Sequence, residues 1–442
     1  MADIEREEEY DEEMERREFR RKRRIRNQLI AYIGTAVILA GIIGGAVLGV
    51  HRVVSAVNDK RHARELQEQL QGLADTESEP VSIEAPETTA TQEEKSQLDE
   101  IVDNCIAEMT LEEKVAGLFI VSPDAFTGAN PAIVAGDTTR ERMNQYAIGG
   151  LIYFAQNIRD ENQLKEMISG TNSYTKYPLF IGVDEEGGTV SRVADSGLAD
   201  NVGSMAQIGA SGDVAMAREA GSSIASYLSE FGFNLDFAPV ADVILDENAV
   251  IGERSFGSNG GEVGTMVAAM VEGLQEGGVS ACLKHFPGLG SSTEDTHDVM
   301  VVSEQTQEEF ESSEFLSFQA GIDAGVDMVM VSHLSVPSIV GDNTPSSLSG
   351  KIITEILRGQ LGFEGVVITD ALNMGAITEY YSPGEAAVKA VQAGADMLLM
   401  PDDFEEAYEA LLQAVNDGTI SEERINESLR RIYRIKRRDA VQ

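Results

Sequence analysis

From about residue 97 onwards, short apolar runs alternate with amphipathic stretches along the chain. Eight apolar runs occur in order: GLFIVS (117–122), GGLIYF (149–154), LFIGVDEE (179–186), NLDFAPVADV (234–243), VSACLKHF (279–286), MVMVSH (328–333), GVVITD (365–370) and DMLLM (396–400). The stretches between them, such as 161–175, 215–231 and 264–278, have the apolar spacing of helices. Continuous apolar strands that alternate with helices are typical of a parallel sheet covered on both faces. Eight such units predict an α/β fold, a (β/α)8 TIM-type barrel rather than a doubly wound sheet. The first run is the least clear, since LFIVS can also continue a helix that starts at Thr110.

A different pattern precedes the barrel. Residues 29–50 form 22 consecutive positions without a charge, and as a helix they would span about 33 Å, enough to cross a bilayer core. The basic block FRRKRRIR lies directly before this segment, so the positive-inside rule places a charged head, 1–28, in the cytoplasm and residues 51–442 outside. We therefore expect a single-pass cell-membrane protein with an extracytoplasmic barrel. A cleaved signal peptide is the alternative, although its apolar region is usually shorter.

The segment between the anchor and the barrel indicates a spacer. Residues 51–74 have the pattern of a short juxtamembrane helix, and 75–96 are rich in Thr, Ser, Glu and Pro, a composition typical of a disordered stalk. The barrel domain is thus predicted over 97–442. Within the anchor, Gly41, Gly45 and Gly49 repeat the G-x-x-x-G pattern that allows two membrane helices to pack as a dimer, although small residues are also common in single anchors.

Composition limits the kinds of partner. The 442 residues carry a net charge of −41, which argues against a nucleic-acid binder because phosphates would be repelled. With two cysteines, five histidines and no C-x-x-C motif, neither a disulfide scaffold nor a transition-metal cluster is expected. No metal or cofactor is predicted.

Polar side chains end several of the apolar runs. They are Asp184, Glu185 and Glu186, Asp242, Lys284 and His285, His333 and Asp370. In a (β/α)8 barrel the active site forms where the carboxyl ends of the strands meet. A single polar residue at such a place can equally cap the next helix, but five strand ends together favour a site.

The segment KHFPGLGSSTEDTHDVM (284–300) is the richest in reactive groups. Its Gly- and Ser-rich loop brings Asp295 and His297 within one residue of each other, and a carboxylate partner raises the pKa of a histidine and fixes its tautomer. Such a histidine can give a proton to a leaving oxygen and later take one from water. Asp-x-His alone is weak evidence in so acidic a chain.

Two further features suit sugar chemistry. Asp370 ends the run GVVITD, and with a helix expected to begin at once its carboxylate would be ionised and able to attack an anomeric carbon. Arg192, in IGVDEEGGTVSRV, and Arg254, in VIGERSFG, add donors for sugar hydroxyl and acetamido groups.

Five motifs in this order resemble glycoside hydrolase family 3 over about residues 97–440. They are D-x-EGG-x-V-x-R, GxRSFG, KHFPG, the following Asp-x-His and ITD-x-L-x-M-x-AI. The chain is most similar to the short single-barrel β-N-acetylglucosaminidases with a His acid/base. The resemblance implies that Asp370 is the nucleophile and that His297 is the acid/base, with Asp295 as its partner. It also implies that N-acetylglucosamine binds to a set of five residues, Asp184, Arg192, Arg254, Lys284 and His285.

The chain departs from the family pattern in the Gly- and Ser-rich loop. The family string usually reads KHFPGHGD, whereas Leu289 and Ser291 stand here in place of its second His and its Asp. Neither position belongs to the catalytic pair, but both affect how the loop rests and how it accommodates the leaving sugar. No second α/β/α domain is expected, so the whole site must come from one barrel.

The predicted function is that of a membrane-anchored, retaining exo-β-N-acetylglucosaminidase acting on peptidoglycan-derived or related glycans. Two alternatives from the same barrel stay open: an N-acetylglucosaminide phosphorylase, since a His acid/base does not repel phosphate, and a non-catalytic protein that only binds wall sugars. A metal-dependent hydrolase would have to use His285, His297 and His333, and a β-glucosidase would generally lack the Asp-x-His dyad.

Overall fold

A ring of parallel strands forms the centre of the part of the chain that the structure, a computed structural model, describes: residues 92–294 and 299–441. Ten strands occur in chain order: β1 (Phe119–Val121), β2 (Gly150–Tyr153), β3 (Phe180–Val183), β4 (Glu185–Gly187), β5 (Val190–Ser191), β6 (Leu235–Asp236), β7 (Ser280–Phe286), β8 (Met328–Val331), β9 (Val366–Thr369) and β10 (Leu398–Leu399). The strands β4 and β5 form a separate antiparallel hairpin.

The other eight strands pair in parallel in the order β10-β1-β2-β3-β6-β7-β8-β9. A parallel bridge between Ile368 and Met397 then brings β9 beside β10, and the Thr369 N–H donates to the Met397 carbonyl at 3.1 Å. The barrel is therefore nearly closed. Each strand lies within one of the eight predicted runs, which confirms the predicted TIM-type architecture.

Helices cover the outside of this ring. They are α1 (Gln92–Ala107), α2 (Leu111–Ala116), α3 (Pro123–Thr127), α4 (Asp137–Gln145), α5 (Glu161–Tyr174), α6 (Met205–Ser211), α7 (Val214–Phe231), α8 (Gly260–Glu276), α9 (Gln307–Glu311), α10 (Glu314–Asp323), α11 (Pro337–Val340), α12 (Gly375–Thr378), α13 (Pro383–Ala393), α14 (Phe404–Asn416) and α15 (Glu422–Lys436). A π-helix, Lys351–Gln360, lies between α11 and α12.

Local signals explain where these helices begin and end. Thr110 caps α2 in a reciprocal capping box with Glu113, and the helix ends at Gly117. The first apolar run is therefore a strand of its own and does not continue the helix. At the far end of α7, Gly232 adopts φ 95°, the left-handed conformation that glycine allows at a helix terminus.

The barrel core is apolar on both faces of the sheet. All residues of β1, β2, β3, β8 and β9 are buried, as expected for parallel strands covered by helices. Cys282 is also fully buried on β7, and both it and Cys105 are free thiols. No disulfide contributes to this fold, and burial of apolar surface is its main source of stability.

The predicted head, anchor and most of the stalk, residues 1–91, lie outside the described residues. Within 92–294 and 299–441 no helix is both long and apolar enough to cross a bilayer. The helix α1 begins at Gln92, five residues before the predicted start of the domain.

Helices α1 and α15 close the amino-terminal end of the barrel. Arg430 and Arg434 of α15 pair with Asp103 and Asp99 of α1 at 2.9 and 2.7 Å. Lys436 donates to the carbonyl of Gly149, which directly precedes β2, at 2.6 Å. The opposite end, where the strands finish, is open.

Candidate active site

A cavity of about 460 Å³ lies at the open end of the barrel. Its polar lining consists of Asp184, Glu186, Arg192, Arg254, Lys284, His285, Asp370 and Asn373, and its apolar lining of Ile152, Phe154, Val190, Met330, Ala371, Met374, Leu399 and Met400. These residues come from the ends of β2, β3, β7, β8, β9 and β10 and from the β4–β5 hairpin, except that Arg254 lies in a 3-10 helix, Gly252–Arg254, in the connection after β6. The size and the mixed lining are those of a small-molecule site.

Six of the eight predicted site residues surround this cavity: Asp184, Arg192, Arg254, Lys284, His285 and Asp370. The prediction that strand ends converge is therefore correct for four of them, Asp184, Lys284, His285 and Asp370. The other two, Asp295 and His297, lie outside the described residues, so their roles stay predictions.

Lys284 is the central cation of the site. It is almost fully buried, and its Nζ donates to Asp184 Oδ1 at 2.8 Å and contacts Glu186 Oε1 at 2.6 Å. Burial alone would favour the neutral amine, but the attraction of the two carboxylates outweighs it and raises the pKa of Lys284 above its usual range. Lys284 is therefore a permanent cation beside the cavity.

Glu186 holds the second cation. Arg254 binds it in a bidentate manner, with Nε to Oε2 and Nη2 to Oε1 both at 2.7 Å. Burial opposes the ionisation of Glu186, but Lys284 and Arg254 overcome it and lower the pKa of Glu186 to about 2. Glu186 thus fixes both cations, although it was not among the predicted site residues. The spacing in the sequence could have indicated this role, because Asp184 and Glu186 are two positions apart on an extended segment and so share a face.

The intervening residue, Glu185, points the other way. Its carboxylate is buried and accepts the backbone N–H groups of Val193 and Ala194 at 2.7 and 3.0 Å and the Tyr227 hydroxyl at 2.9 Å. These bonds hold the segment that brings Arg192 to the cavity. Among the described residues, the buried Nε of Arg192 has no hydrogen-bond partner.

Gly187 and Gly188 adopt positive φ angles, 89° and 60°, where β4 turns into β5. A Cβ at Gly187 would lie 2.7 Å from the Gly203 carbonyl oxygen. The two glycines therefore serve a tight turn packed against its own chain.

His285 is oriented by a buried carboxylate. Its Nδ1 lies 2.7 Å from Asp242 Oδ2, and since a carboxylate only accepts, Nδ1 carries the proton. The other ring nitrogen, Nε2, lies 3.5 Å from Arg254 Nη2 at the cavity wall. Asp242 is fully buried; like Glu186, it was predicted only as a polar strand end and not as a site residue.

Asp370 follows β9 directly and is half-buried. Its backbone N–H donates to the Val331 carbonyl at 2.8 Å, and its Oδ1 accepts the Ala371 N–H at 2.8 Å. The expectation that a helix begins at once is wrong, because α12 starts only at Gly375. A local backbone N–H, rather than a helix terminus, therefore supports the carboxylate.

His333 lies beneath this turn instead of lining the cavity. It is fully buried, with Nδ1 2.7 Å from Ser347 Oγ and Nε2 2.9 Å from the Ala371 carbonyl oxygen. Across residues 92–294 and 299–441, no three His, Cys, Asp or Glu side chains are grouped so as to hold a metal ion. The structure thus gives the metal-site alternative no support within these ranges.

The two residues that depart from the family pattern have clear contacts. Leu289 is buried, with only 4% of its surface exposed, which suits an apolar residue where the family usually has His. Ser291 donates its hydroxyl to Gln305 Oε1 at 2.6 Å, and the Ser303 hydroxyl lies 3.2 Å from the same oxygen. Gln305 therefore joins the chain before and after the predicted catalytic pair.

Comparisons of the sequence and of the fold with known proteins identify similar glycoside hydrolases. The model of the glycosyl hydrolase family 3 N-terminal domain matches residues 110–435. A β-hexosaminidase A of Pseudoalteromonas piscicida is 31% identical over 328 residues, covering 67% of this chain and 54% of the relative, and a β-hexosaminidase of Nitrosomonas eutropha is 33% identical over 281 residues, covering 62% and 80%. This chain thus spans about half the length of the first relative and most of the second.

Among solved structures, the family 3 β-N-acetylglucosaminidase of Paenibacillus sp. str. FPU-7 superposes with a TM-score of 0.70 at 36% identity, covering 75% of this chain and 63% of that one. The family model spans far more than half of the sequence, and the cavity lies where the family motifs converge. The predicted family is confirmed: this chain belongs to glycosyl hydrolase family 3.

Proposed function

We propose that the protein is an exo-acting β-N-acetylglucosaminidase that hydrolyses its substrate with retention, through a covalent intermediate on Asp370. The observation that carries the proposal is the position of Asp370 in the same cavity as the Asp184–Lys284–Glu186–Arg254 network. A nucleophilic carboxylate beside fixed donors and acceptors is what attack on a bound sugar requires. A cavity above a packed barrel core, rather than an open groove, suits the terminal sugar of a glycan.

The cavity lining divides into parts with different roles in sugar binding. Asp184 is an acceptor for hydroxyl groups, and Lys284, His285 and Arg254 lie on the same side. Arg192 adds a guanidinium whose Nε is uncommitted among the described residues. The apolar lining, including Ile152, Phe154 and Met330, offers contact to the ring carbons and the acetamido methyl group of N-acetylglucosamine.

The proposed reaction proceeds in two steps. In the first, an Asp370 oxygen attacks the anomeric carbon while His297, supported by Asp295, protonates the leaving oxygen. In the second, His297 takes a proton from water, which attacks the same carbon and releases Asp370. The roles of Asp295 and His297 rest on the family resemblance, because both lie outside the described residues.

The proposed biological setting is the cell surface. The apolar segment 29–50 would anchor the protein, with the barrel outside the membrane and peptidoglycan-derived glycans as its substrate. The names of the hexosaminidase relatives support the sugar, whereas the polymer, the anchor and a dimer through the anchor rest on the sequence pattern alone.

The direct test is hydrolysis of 4-nitrophenyl β-N-acetylglucosaminide by the full-length protein, followed by proton NMR of the first-formed sugar. We expect nitrophenol release with the β-anomer of N-acetylglucosamine appearing first. An α-anomer formed first would contradict a glycosyl-enzyme. Absence of turnover by the folded protein with both this substrate and muropeptides would favour a barrel that only binds sugars.

The phosphorylase alternative is tested in the same assay. Repeating it with inorganic phosphate and analysing the products by mass spectrometry distinguishes the two acceptors. Hydrolysis predicts free N-acetylglucosamine under both conditions, whereas N-acetylglucosamine 1-phosphate formed only with phosphate would establish phosphorolysis.

A further inference from the structure

The carboxylate of Asp242 contacts two functional parts of the protein at once. Its Oδ2 lies 2.7 Å from Nδ1 of His285, and its Oδ1 accepts the backbone N–H of Leu289 at 2.7 Å. The first contact is to a residue of the cavity wall, and the second is to the chain just beyond Pro287, where the loop that contains positions 295 and 297 begins. Asp242 has no exposed surface, so both bonds are formed without competition from water.

The first turn of this loop rests on the segment that carries Asp242. The Leu245 N–H donates to the Gly290 carbonyl at 2.9 Å, and the Val250 N–H donates to the Ser292 carbonyl at 2.9 Å. Gly290 is packed so closely that a Cβ there would lie 1.6 Å from the Val243 carbonyl oxygen. We name residues 289–292 the loop stem. Their backbone is held against residues 242–250 by these hydrogen bonds and this close packing.

We infer that Asp242 is a positioning residue that holds the sugar-side His285 and the loop stem in one fixed relation. The inference rests on the proposed function, because the loop matters only if it delivers the acid/base. Oδ2 contacts the His285 ring, Oδ1 accepts from Leu289, and Oδ1 and Oδ2 also accept the backbone N–H of His285 at 3.3 and 3.2 Å. Because the carboxylate is one rigid group, the two positions cannot be adjusted independently. Its expected effect is that proton donation to the leaving oxygen is aligned with the bound sugar.

Asp242→Asn tests this assignment because an amide cannot replace both oxygens. If the amide NH2 faces His285, the ring must take the other tautomer, and Nε2–H would then point towards the donor Arg254. If the NH2 faces Leu289, two N–H donors oppose each other and the loop stem is released. Either arrangement therefore disrupts the contact with His285 or the contact with Leu289.

The informative measurement is leaving-group dependence in the full-length protein. We compare kcat/KM for 4-nitrophenyl and benzyl β-N-acetylglucosaminides, since only the benzyl alcohol needs protonation to leave. General acid catalysis contributes a factor of about 10² to 10⁴, so we expect Asp242→Asn to lower the benzyl to nitrophenyl ratio by about tenfold or more. Loss of sugar binding alone would reduce both substrates equally.

Two controls separate the contacts. Asp396→Asn makes the same substitution at a fully buried aspartate at the opposite end of the barrel, and the wild-type ratio is expected. His285→Ala should lower kcat/KM for both substrates without changing the ratio, and adding Asp242→Ala to it, which leaves no acceptor for the Leu289 N–H, should then lower the ratio. If Asp242→Asn does not fold, Gly290→Ala, which pushes the stem away from Val243, should show the same change in ratio.

The outcomes are distinguishable. An Asp242→Asn variant that keeps the wild-type ratio, or an Asp242→Ala/His285→Ala double variant with the ratio of His285→Ala, would overturn the inference while leaving the proposed function intact. A wild-type protein that hydrolyses neither glycoside would overturn the proposed function, and the inference would fall with it.

Discussion

Both ends of the barrel bury a carboxylate among several cations, but they use those cations differently. At the closed end, Asp396 is surrounded by Arg358, Arg424 and Arg431. Arg358 also donates to the carbonyls of Phe363 and Gly365 at 2.9 and 2.6 Å, and Arg424 donates to that of Ala395 at 2.8 Å. The guanidinium groups of Arg358 and Arg424 therefore hold backbone carbonyls in place.

At the open end, Glu186 binds Lys284 and Arg254, and both cations also line the cavity. The two clusters have similar chemistry, yet only this one leaves a face for a ligand. Buried charge in this barrel therefore has a structural role where its cations bind backbone carbonyls and a functional role where its cations line a cavity.

The largest effect is expected for Glu186→Gln. Without the carboxylate, Lys284 and Arg254 lose the anion that fixes them, and misplacement of binding groups by about 1 Å can cost about 10²-fold in rate. We expect kcat/KM for the nitrophenyl substrate to fall about a hundredfold, measured per folded molecule. A value near that of the wild type would show that the network is only structural.

Asp396→Asn should affect stability instead. Removing one partner of a buried ion pair typically costs 3 to 5 kcal/mol, and three arginines share this carboxylate. We expect the free energy of unfolding in urea to drop by about 3 kcal/mol, with kcat/KM of the folded fraction unchanged. A loss of activity like that of Glu186→Gln would remove the distinction between the two ends.

Another buried carboxylate, Glu314, lies against Gly288, just before the loop stem, and has no ion-pair partner among the described residues. Burial raises its pKa from 4.5 to about 7, in contrast to Glu186. Below pH 4.5 the folded and unfolded forms both carry the proton, so no penalty exists; between pH 4.5 and 7 the unfolded form ionises first, and above pH 7 the folded form bears the full penalty. Stability is therefore lost as the pH rises from 4.5 to about 7, and the loss is complete above that pH.

Glu314→Gln should remove this dependence. The shift corresponds to about 3 kcal/mol, so we expect the variant to unfold at a higher temperature than the wild type at pH 8.5 and to differ little at pH 4. Thermal unfolding across this range measures it. An equal pH dependence in both proteins would show that Glu314 does not titrate in this window.

The smallest effect is expected for Tyr227→Phe, which tests a hydrogen bond to Glu185, the residue next to Glu186. The variant removes one of three donors to Glu185 and leaves the backbone bonds from Val193 and Ala194. We expect a loss of about 1 kcal/mol in unfolding free energy and nearly unchanged kcat/KM. A large loss of activity would mean that the Arg192 segment depends on the hydroxyl.

The sequence predicted the features that follow from periodicity. Eight apolar runs became eight barrel strands, and Asp184, Lys284 and Asp370 met at the carboxyl ends because parallel strands share that edge. Which acid serves which purpose was harder to predict. Glu185 and Glu186 look alike in the sequence, but their side chains point in opposite directions. Glu185 therefore holds the backbone of the Arg192 segment, whereas Glu186 binds two cations.

Other features depend on contacts that no local pattern specifies. Asp242 reaches Leu289 across 47 positions of the chain, and a turn rather than a helix follows Asp370. The roles of Asp295 and His297 remain predictions from the motif order, as does the membrane anchor. Sequence motifs thus identified most of the groups that face the cavity, whereas the buried residues that hold those groups emerged from the fold.

The central claim, that Asp370 is the nucleophile of a retaining glycosidase, is tested most directly by trapping the intermediate. The full-length protein and Asp370→Asn would be incubated with a slowly hydrolysed 5-fluoro-N-acetylglucosaminyl fluoride, digested and mapped by mass spectrometry. We predict a glycosyl adduct on Asp370 in the wild type and no adduct or turnover in the variant. An adduct on another residue, or wild-type kcat in Asp370→Asn, would contradict the account.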